Sequence, residues 1–535
     1  MRQDADLAQH ALVQELAAAW QRGGLDVSFI ETHISRVVLA GPYAYKFKKP
    51  VRFPFLDFTP VAMRRFYCEE ECRLGRRLAP DLYLGVMAIT GTTRHPVLDG
   101  AGAAIEFAVK MQRFPQEALW TARIADGVLS RQEIDALAAK VARFHGAADI
   151  AVAGSPWGTA DVIFGTADDT FKELDALLDD GTSRERMGVL RGWDAKQRSR
   201  LAMHFERRKR QGAVRECHGD LHCSNILTLG GKVEVFDSIE FSSALRWIDV
   251  MNDIAFASMD LRFRGEKTLS ARLLNKYLAQ TGDYDGLAVF AYYQVHHALV
   301  RCKVALLAAS QLSGEGRAAS MATAVRYLES AIDIARPEWR AIVVTHGFSG
   351  SGKSTFASAF AERSGAIMLR SDIERKRLYN RSMQARQPVP DNDPLYSSIA
   401  TRHTYERLRD IARYVIAEAH LPVIVDAAFL RAEQRSMFSG LARELGVPFL
   451  IVDIHANEAA MRERLEKRSR ENQDPSDADT HVLLQQIRSA EPLGAEESGS
   501  VFSVDMDGHP DQGQLSAACD LAFRRCVSRI DRTRP

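Results

Sequence analysis

The sequence predicts two domains of different class: an α+β domain with a small β lobe and a large helical lobe, then an α/β domain with a parallel sheet. The chain has 535 residues, more than one hydrophobic core usually organises. Strand-like runs are concentrated before about residue 112, and mostly helical patterns follow to about residue 334. Beyond residue 341, apolar strands alternate with helices, which is typical of a parallel sheet covered on both faces.

Composition limits the classes of partner. Hydrophobic residues make up 46% and charged residues 26% of the chain, as in soluble globular proteins. The net charge of +1 gives no overall basic field for nucleic acid. Seven scattered cysteines form no disulfide framework, so reduced thiols in the cytoplasm are expected. The N-terminus lacks the basic and apolar regions of a signal peptide, and no run reaches roughly 18 apolar residues, so we expect no membrane partner.

The first domain begins with an amphipathic stretch, ALVQELAAAW, and continues with short strands. The predicted strands are Val27–Glu31, 36–39, Tyr43–Lys48, 83–89 and 105–112, with a helix over 59–78 after the third strand. From residue 131 to about 334 the pattern is helical, interrupted by HGDLHCSN at 218–225 and a strand-like run at 233–237. This order of elements predicts the small β lobe and the helical lobe.

HGDLHCSN has the HxDxxxxN spacing of a phosphoryl-transfer loop. In that pattern the aspartate, here Asp220, orients or deprotonates an acceptor hydroxyl, and the asparagine, here Asn225, binds Mg²⁺. Asp237 ends KVEVFD twelve residues later and is the candidate for a second metal-binding aspartate. His218 is expected to be buried and to brace the loop. The order C-H-x3-H-C over residues 217–223 fits no common structural zinc pattern.

The lysine that anchors the phosphates of ATP is expected on the third strand, within an A-x-K pattern. AYK in this strand selects Lys46, and Lys48 lies two residues on, on the same face. An acidic partner is expected on the following helix, where Glu69, Glu70 and Glu71 compete. The sequence does not choose among these three.

This half resembles the aminoglycoside phosphotransferase and choline-kinase-like family through HGDLHCSNIL, VFDSIEF and LRWIDVMNDIAF, over roughly residues 25–330. The resemblance implies a protein-kinase-like fold, with Asp249 and Asp253 as structural residues on the helix that supports the catalytic loop. One departure is that ETHISRVVLAG contains no GxGxxG. Cover for the phosphates is therefore expected from residues 32–35 or from elsewhere.

GFSGSGKS in the second half is a complete GxxxxGK[ST] phosphate-binding loop. Its glycines allow backbone N–H groups to surround phosphate oxygens. Lys353 is expected to reach the β- and γ-phosphates and the Ser354 hydroxyl to bind Mg²⁺, while the following helix points its positive end at the phosphates. The predicted nucleotide-binding residues are Gly347, Phe348, Ser349, Gly350, Ser351, Gly352, Lys353, Ser354 and Thr355.

Five further side chains are candidates for the second site. Asp426 ends the strand-like VIVD and is favoured as the water-mediated Mg²⁺ partner over Asp453, which ends FLIVD. Asp372 is a candidate base for the acceptor hydroxyl, with a helix N-cap as the alternative. Arg464 and Arg468 are spaced i, i+4 and are candidates for a lid over the transferring phosphoryl group, with a solvated basic face as the alternative.

GFSGSGKST, LRSDIERKR, VIVDAAF, RERLEKR and DPSDAD together resemble the small P-loop kinases of the AAA_33 type, over roughly residues 341–492. These kinases are akin to gluconate kinase, zeta toxin and polynucleotide 5′-kinase domains. The resemblance implies an adenylate-kinase-like P-loop NTPase fold, Asp372 as base, Arg375 near the acceptor and arginines from the lid. The tandem arrangement resembles bacterial fusions of an aminoglycoside phosphotransferase domain with a P-loop ATPase domain. The predicted domains are residues 1–335 and 336–535.

The sequence thus predicts a cytoplasmic, bifunctional phosphotransferase that uses ATP and Mg²⁺. The expected acceptors are small molecules with hydroxyl groups, such as sugars, amino sugars or amino alcohols. One alternative is a nucleotide-sensing regulatory ATPase whose N-terminal half is a pseudokinase. Another is a polynucleotide or nucleotide-sugar kinase, and the near-neutral charge disfavours a polynucleotide substrate. The sequence selects neither the acceptors nor the oligomeric state.

Overall fold

The structure is a computed structural model, and it describes residues 2–53, 56–336, 339–381, 395, 397–471, 479–508 and 511–533. The chain divides into two compact units, residues 1–167 with 205–260, and residues 168–204 with 261–535. The second unit thus joins helices that precede residue 335 to the C-terminal sheet. This division differs from the domains 1–335 and 336–535, which stay a prediction.

A six-stranded antiparallel sheet dominates the start of the first unit. In chain order the elements are α1 (Arg2–Arg22), β1 (Val27–Glu31), β2 (Ser35–Ala40), β3 (Tyr43–Lys48), β4 (Arg52–Phe53), β5 (Leu56–Asp57), α2 (Val61–Gly75), β6 (Tyr83–Thr92), β7 (His95–Leu98) and β8 (Glu106–Gln112). The strand order is β1-β2-β3-β8-β6-β7, and β4 pairs with β5 separately. Side chains alternate between the two faces of β3. Phe47 therefore joins the core against α1, and Ala44 joins the core against α2.

Helices and short hairpins follow the sheet. They are α3 (Trp120–Ala125), α4 (Arg131–Ala147), α5 (Ala160–Leu177), α6 (Gly181–Arg210), β9 (Val214–Glu216), β10 (Ile226–Leu229), β11 (Lys232–Val235), α7 (Ser243–Arg246), β12 (Trp247–Asp249) and α8 (Val250–Phe263). A reciprocal pair of hydrogen bonds between Ser130 and Glu133 begins α4. Strand β9 pairs with β12, and β10 pairs with β11. The HGDLHCSN segment therefore connects two small antiparallel pairs.

The second unit contains a five-stranded parallel sheet, which confirms the sheet expected after residue 341. Its further elements are α9 (Lys267–Thr281), α10 (Leu287–Gln311), α11 (Gly314–Ala335), β13 (Ile342–His346), α12 (Lys353–Ser364), β14 (Ile367–Arg370), α13 (Ser371–Leu378), α14 (Ser398–Ala417), β15 (Val423–Asp426), α15 (Ala432–Glu444), β16 (Phe449–His455), α16 (Glu458–Glu471), α17 (Thr480–Ser489), β17 (Val501–Asp505) and α18 (Gln512–Thr533). The order is β14-β15-β13-β16-β17. Phe356 and Phe360 of α12 pack on one face with Leu450 and Cys526.

Two general features agree with the composition. All seven cysteines are buried free thiols, as expected for a chain without a disulfide framework. Among the described residues, no helix combines the length and the apolar character needed to cross a membrane.

Candidate functional site

The predicted anchoring lysine of the first unit contacts two carboxylates. Lys46 lies on β3, and its Nζ donates to Oε1 of Glu71 at 2.9 Å and also to Asp237. The side chain of Glu71 is buried, whereas that of Asp237 is 41% exposed. Burial alone would lower the pKa of Lys46, but Asp237 and Glu71 raise it well above its usual value. The lysine therefore stays charged.

The structure resolves which of three adjacent glutamates faces the sheet. Glu71 points to Lys46, whereas Glu69 pairs with Arg65 on the exposed side of α2 and Glu70 pairs with Arg73. Consecutive helical residues are about 100° apart around the axis, so the three side chains leave α2 in different directions. Only the phase of the helix against the sheet decides among them, and the sequence does not contain that information.

A second buried lysine lies beside the first. Lys48 is wholly buried and donates to both Glu71 and Glu240. Burial alone would lower its pKa, but the two carboxylates raise it, and Lys48 stays charged. Burial raises the pKa of Glu240. Glu71 therefore bridges two lysines, one oxygen to each, and Glu240 completes the network.

The catalytic-loop candidates lie together. Nδ2 of Asn225 donates to Oδ2 of Asp220 at 2.9 Å and to its backbone oxygen at 3.0 Å. Nε2 of His222 lies 3.3 Å from the same Oδ2. The spacing predicted that the loop would bring Asp220 and Asn225 together, and the structure places them in direct contact. The amide oxygen of Asn225 is left available for a hard cation such as Mg²⁺.

His218 braces the loop as a neutral ring. Burial lowers its pKa, against the opposing charges of Asp253 and Asp220. The Asp220 N–H donates to Nδ1 of His218 at 3.2 Å, so the other ring nitrogen carries the proton and donates to the Phe236 carbonyl at 2.9 Å. These bonds connect the loop to the chain just before Asp237, which is the role the sequence suggested for this histidine.

Carboxylates from the neighbouring elements hold the loop backbone. Asp253 on α8 accepts from the N–H groups of His218 at 2.8 Å and Gly219 at 2.9 Å. Asp249 accepts two bonds from Arg208, at 2.6 and 2.7 Å. Both residues are structural, as the resemblance implied, but Asp249 ends β12 instead of lying on the helix. Here the backbone pairing of β12 with β9 determines its position.

One buried group contains the residue types that bind metals. His145, Cys217 and Asp253 have donor atoms within 4.8 Å of one another, and the described residues contain no other such group of three. Burial raises the pKa of the Cys217 thiol, which opposes the thiolate that a metal needs. The thiol donates to the Ile248 carbonyl at 3.4 Å, and Asp253 serves the loop. Because Asp253 also hydrogen-bonds to His145, each of the three side chains has a partner within the protein.

Asp237 has an unusual backbone. Its φ is 63°, in the left-handed region that non-glycine residues seldom occupy. Its N–H donates to the hydroxyl of Tyr83 at 2.9 Å, which helps to hold this conformation. Strained backbone of this kind clusters at functional sites. The carboxylates of Asp220 and Asp237 and the amide of Asn225 form a donor set that suits Mg²⁺.

Three arginines surround one carboxylate behind this site. Glu216 on β9 pairs with Arg73 at 2.8 Å, Arg77 at 3.0 Å and Arg246 at 3.0 Å. Burial would raise its pKa, but the hydrogen bonds from Arg73 and Arg246 and the charge of Arg77 lower it to about 2. Two of the arginines lie on or just after α2, and Glu216 lies two residues before His218. The cluster thus connects α2 to the catalytic loop.

The β1–β2 hairpin has no glycine-rich turn. Oγ1 of Thr32 accepts from the N–H of Ser35 at 3.0 Å, and Lys49 donates to the Thr32 carbonyl at 2.6 Å. The turn is therefore closed by side-chain contacts. Its expected role over the phosphates stays a prediction.

In the second unit, the phosphate-binding loop joins β13 to α12. Gly350 has φ 84° and Gly352 has φ 102°. A Cβ at Gly350 would lie 2.6 Å from the Met461 carbonyl, and one at Gly352 would lie 2.9 Å from Cε of Met506. Gly350 is therefore required by both conformation and space, whereas Gly352 is required by its conformation. Helix α12 begins at Lys353, so the N–H groups of its first turn have no acceptor within the helix.

Lys353 and Ser354 of this loop both have polar neighbours. Nζ of Lys353 donates to the Phe348 carbonyl at 2.6 Å, within the loop itself. The Ser354 hydroxyl is close enough to Asp426 to lower the pKa of that carboxyl. Burial raises the pKa of Asp426, and Arg370, Ser354 and Lys353 act in the opposite direction. The pairing of Ser354 with a strand-end carboxylate provides oxygen ligands that suit Mg²⁺.

The structure separates the two candidate metal aspartates by their partners. Both carboxylate oxygens of Asp453 contact histidines: Nδ1 of His346 at 2.6 Å and Nε2 of His455 at 2.7 Å. Asp426 instead lies beside Ser354 of the loop, and its Oδ2 is 3.4 Å from Nε of Arg370. This arrangement favours Asp426, and its role stays a prediction.

Asp372 lies in the first turn of α13, directly after β14. The N-cap residue is Arg370, and its side chain makes no capping bond. The N-cap alternative for Asp372 is therefore wrong. The negative charge of Asp372 helps to raise the pKa of Asp426 and of Tyr405, so both groups lie within its electrostatic reach. Nε of Arg375, one turn on, lies 3.5 Å from Oγ1 of Thr404.

Of the two candidate lid arginines, Arg464 reaches the loop. Its Nη1 donates to the Gly350 carbonyl at 3.2 Å, and its Nη2 donates to the Met506 carbonyl. This contact argues against a purely solvated face for Arg464. The side chain of Arg468 and most of the following DPSDAD segment lie outside the described residues, so the lid stays a prediction.

A cavity of about 320 Å³ opens next to the loop, between β17 and α18. Its lining residues are Val504, Asp505, Met506, Asp507, Gln514, Leu515 and Ala518. The Met506 side chain also contacts the position of Gly352. The cavity therefore adjoins the phosphate-binding loop.

Comparisons with known proteins agree with part of this picture. Residues 342–493 match the AAA_33 family model, described as an AAA domain. An uncharacterized protein of Mycobacterium tuberculosis strain H37Rv is 28% identical over 444 residues, which cover 83% of this chain and 86% of that protein.

Two solved structures are also similar to parts of the chain. A gluconokinase from Sinorhizobium meliloti 1021 is 20% identical, with a TM-score of 0.26, over 36% of this chain and 97% of its own. A choline/ethanolamine kinase family protein from Mesorhizobium loti is 13% identical, with a TM-score of 0.34, over 57% of this chain and 92% of its own.

Proposed function

We propose that the protein is a bifunctional phosphotransferase that uses ATP and Mg²⁺ and phosphorylates hydroxyl groups of small molecules. One observation carries the proposal: the candidate residues of the HxDxxxxN motif lie in one compact unit, and those of the phosphate-binding loop lie in the other. Each group of candidates includes a cation for the phosphates, oxygen ligands for a metal ion and a carboxylate for the acceptor. Such sites act mainly by positioning and by electrostatic stabilisation of the transferring group.

In the first unit, Asp220 takes the role of the base that orients the acceptor hydroxyl and accepts its proton. Asn225 and Asp237 hold Mg²⁺, and Lys46 binds the phosphates of ATP. Glu71 keeps Lys46 oriented. When bound, Mg²⁺ neutralises charge on the phosphate oxygens. The direct contact between Asp220 and Asn225 supports this assignment, since it places the base beside the metal ligand.

In the second unit, the loop from Gly347 to Thr355 binds the triphosphate, and Lys353 supplies a positive charge to it. Ser354 and Asp426 hold Mg²⁺. Asp372 is the candidate base, and Arg464, with Arg468, offsets charge on the transferring group. The contact of Arg464 with the Gly350 carbonyl supports a role at the loop.

The acceptors proposed for both sites are sugars, amino sugars or amino alcohols. The net charge of +1 supports a small-molecule substrate over a nucleic acid, because nucleic-acid binding depends on neutralising many phosphates. We propose no nucleic-acid or membrane partner.

The test uses the full-length protein with ATP and Mg²⁺, supplied with pooled small metabolites. Asp220→Ala should lower turnover at the first site by ~10²–10⁴-fold, the range for loss of a general base, and leave ATP binding intact. Lys353→Ala should abolish turnover at the second site and leave the first working. The control for both variants is Lys232→Ala, which removes an exposed lysine.

Two outcomes would contradict the proposal. Slow ATP hydrolysis that no metabolite pool stimulates would favour a regulatory nucleotide switch. Loss of both activities in each single variant would show that the two sets of residues do not act as separate sites.

A further inference from the structure

A helical segment far upstream of the phosphate-binding loop lies against the elements that carry it. The segment comprises α9 and the following turn at Tyr284–Gly286, and both belong to the second compact unit. It precedes the predicted domain boundary by about fifty residues, and no residue in it belongs to the proposed chemistry. Its contacts nevertheless fall on α12, β14 and α13.

The first contact is an ion pair with the helix of the phosphate-binding loop. Nη1 of Arg272 on α9 lies 2.5 Å from Oε1 of Glu362 on α12, and both side chains are largely buried. Helix α12 begins with Lys353 and Ser354. The pair therefore fixes the far end of the helix whose first turn faces the phosphates.

The second contact occupies the open edge of the parallel sheet. Strand β14 is an edge strand, with β15 on its other side. The amide of Asn275 donates to the Ala366 carbonyl at 3.0 Å and accepts from the Met368 N–H at 2.7 Å. One side chain thus makes the two backbone bonds that a further strand would make. Strand β14 leads directly into α13, so Asn275 also fixes where that helix begins.

The third contact holds α13 itself. The Tyr284 hydroxyl donates to Oε1 of Glu374 at 3.0 Å, and Glu374 is fully buried. Arg377 donates to the same oxygen and, at 2.8 Å, to the Ala279 carbonyl on α9. Gly282 ends α9 with φ 71°, and a Cβ there would lie 2.7 Å from Nε of Arg377. The glycine therefore both ends α9 and makes room for the arginine.

These contacts matter because of what α13 carries. Asp372, the candidate base, lies two residues before Glu374, and Arg375 directly follows Glu374. In one short helix, a rotation that moves Glu374 also moves Asp372. If the Tyr284 hydroxyl is removed, the buried Glu374 carboxylate keeps Arg377 but loses a donor, and an under-satisfied buried charge is costly. Burial and Glu374 together raise the pKa of Tyr284, so its hydroxyl remains a donor.

We propose that α9 and the turn at Tyr284 are a positioning element of the P-loop site. Asn275 and Tyr284 are its positioning residues: they hold β14 and α13, and through them keep Asp372 aligned with the loop on α12. Neither residue touches the reacting atoms. The inference rests on the proposed function of the P-loop site, and it adds a stretch of chain before the predicted boundary to that site.

The test uses full-length protein that carries Asp220→Ala, so that turnover reports the P-loop site alone. In this background Tyr284→Phe should lower ATP turnover by roughly 10- to 10²-fold, the scale expected when a catalytic group is displaced by about 1 Å. The dissociation constant of a non-hydrolysable ATP analogue at the P-loop site should not change, because α12 stays in place. Amide hydrogen exchange should become faster in α13 and remain as before in α12.

A second variant and a matched control separate positioning from general destabilisation. Asn275→Ala should give the same pattern, with faster exchange in β14 as well. The control is Tyr292→Phe, which removes another buried bond from a phenol to a carboxylate, at 2.9 Å from Asp194. That bond joins α10 to α6, neither of which carries a P-loop residue, so turnover should equal that of the parent.

Two results would overturn the proposal: turnover and α13 exchange in Tyr284→Phe equal to the control, or faster exchange throughout the second unit. Failure of the proposed function is a distinguishable result. It would appear as an Asp220→Ala parent whose turnover Lys353→Ala does not reduce. Hydrogen exchange in α13 would then still decide whether the segment positions that helix.

Discussion

Lys46 and Lys48 lie two residues apart on the same face of β3, yet their surroundings differ. Lys46 contacts the half-exposed Asp237, so one of its partners lies where a nucleotide can approach. Lys48 is wholly enclosed between Glu71 and Glu240. The first lysine therefore has the environment of a ligand-binding residue, and the second has that of a structural one.

This contrast predicts that replacing each lysine with methionine will have a different main effect. Lys46→Met should abolish nucleotide binding at the first site with a modest loss of stability, because Glu71 keeps Lys48 as a partner. Lys48→Met should lower the free energy of unfolding by about 3–5 kcal/mol, since it leaves Glu240 buried without its partner. Chemical denaturation and nucleotide titration of both variants check this. Equal stability losses would contradict the division of roles.

Among single residues, the sequence predicted those site residues that belong to a local sequence motif. Lys46 followed from A-x-K, and Asp220 and Asn225 followed from their spacing. Glu240 gave no such signal, because its contact with Lys48 joins positions 192 residues apart. Such a pairing depends on the tertiary fold and not on local periodicity.

Among the elements, α2 is held at two places along its length. Glu71 connects it to β3, while Arg73, together with Arg77 just beyond the helix, connects it to Glu216. Arg246 also contacts Glu216 and donates to the Glu240 carbonyl at 3.1 Å. Glu71 and the Glu216 cluster thus both connect α2 to the network around Lys46 and Lys48. A shift of α2 would therefore break several buried ion pairs together.

The Glu216 cluster makes stability depend on pH in a defined direction. The pKa of Glu216 is about 2 in the folded state, below the roughly 4.3 of an unperturbed glutamate. The folded state thus binds fewer protons in this range, and the contribution of Glu216 is lost as pH falls from about 4.5 toward 2.

Glu216→Gln should therefore be less stable than the natural protein at pH 7, by at most about 3 kcal/mol. This difference should narrow below about pH 4.5. Denaturant unfolding across pH 7 to 3.5 measures it, with Glu69→Gln, which removes an exposed ion pair, as a control near zero. A difference that stays constant over this range would show that the charge of Glu216 contributes nothing.

Element positions were predicted best where the pattern is regular. Strands Tyr43–Lys48 and Val423–Asp426 have the expected bounds. The expected helix over 59–78 spans only Val61–Gly75: Pro60 is the N-cap with extended backbone, and a proline disfavours helical conformation in the residue before it. Strand β7 was missed because it contains Pro96. It is an edge strand, where a proline is tolerated.

For the whole molecule, two separate sites predict two bound nucleotides. Titration of the full chain with a non-hydrolysable ATP analogue and Mg²⁺ should saturate near two equivalents, and Lys353→Ala should reduce this to one. Isothermal calorimetry measures both. Saturation of the natural protein at a single equivalent would contradict the presence of two pockets.

The division of the chain was harder to predict than its motifs. The pattern changes after residue 335, which suggested a simple boundary. In the structure, residues 168–204 and 261–335 belong to the same compact unit as the parallel sheet. Side chains such as Asn275 make bonds to β14 that no local pattern encodes, so sequence order alone did not reveal which helices accompany the sheet.

The seven buried thiols have a practical consequence. Since every native cysteine is enclosed, a single cysteine engineered on the surface would be the one group that a maleimide dye reaches readily. Fluorophores can then be attached at chosen points while all seven native cysteines are kept. Movements of α13 or of the loop around Gly350 then become measurable in real time.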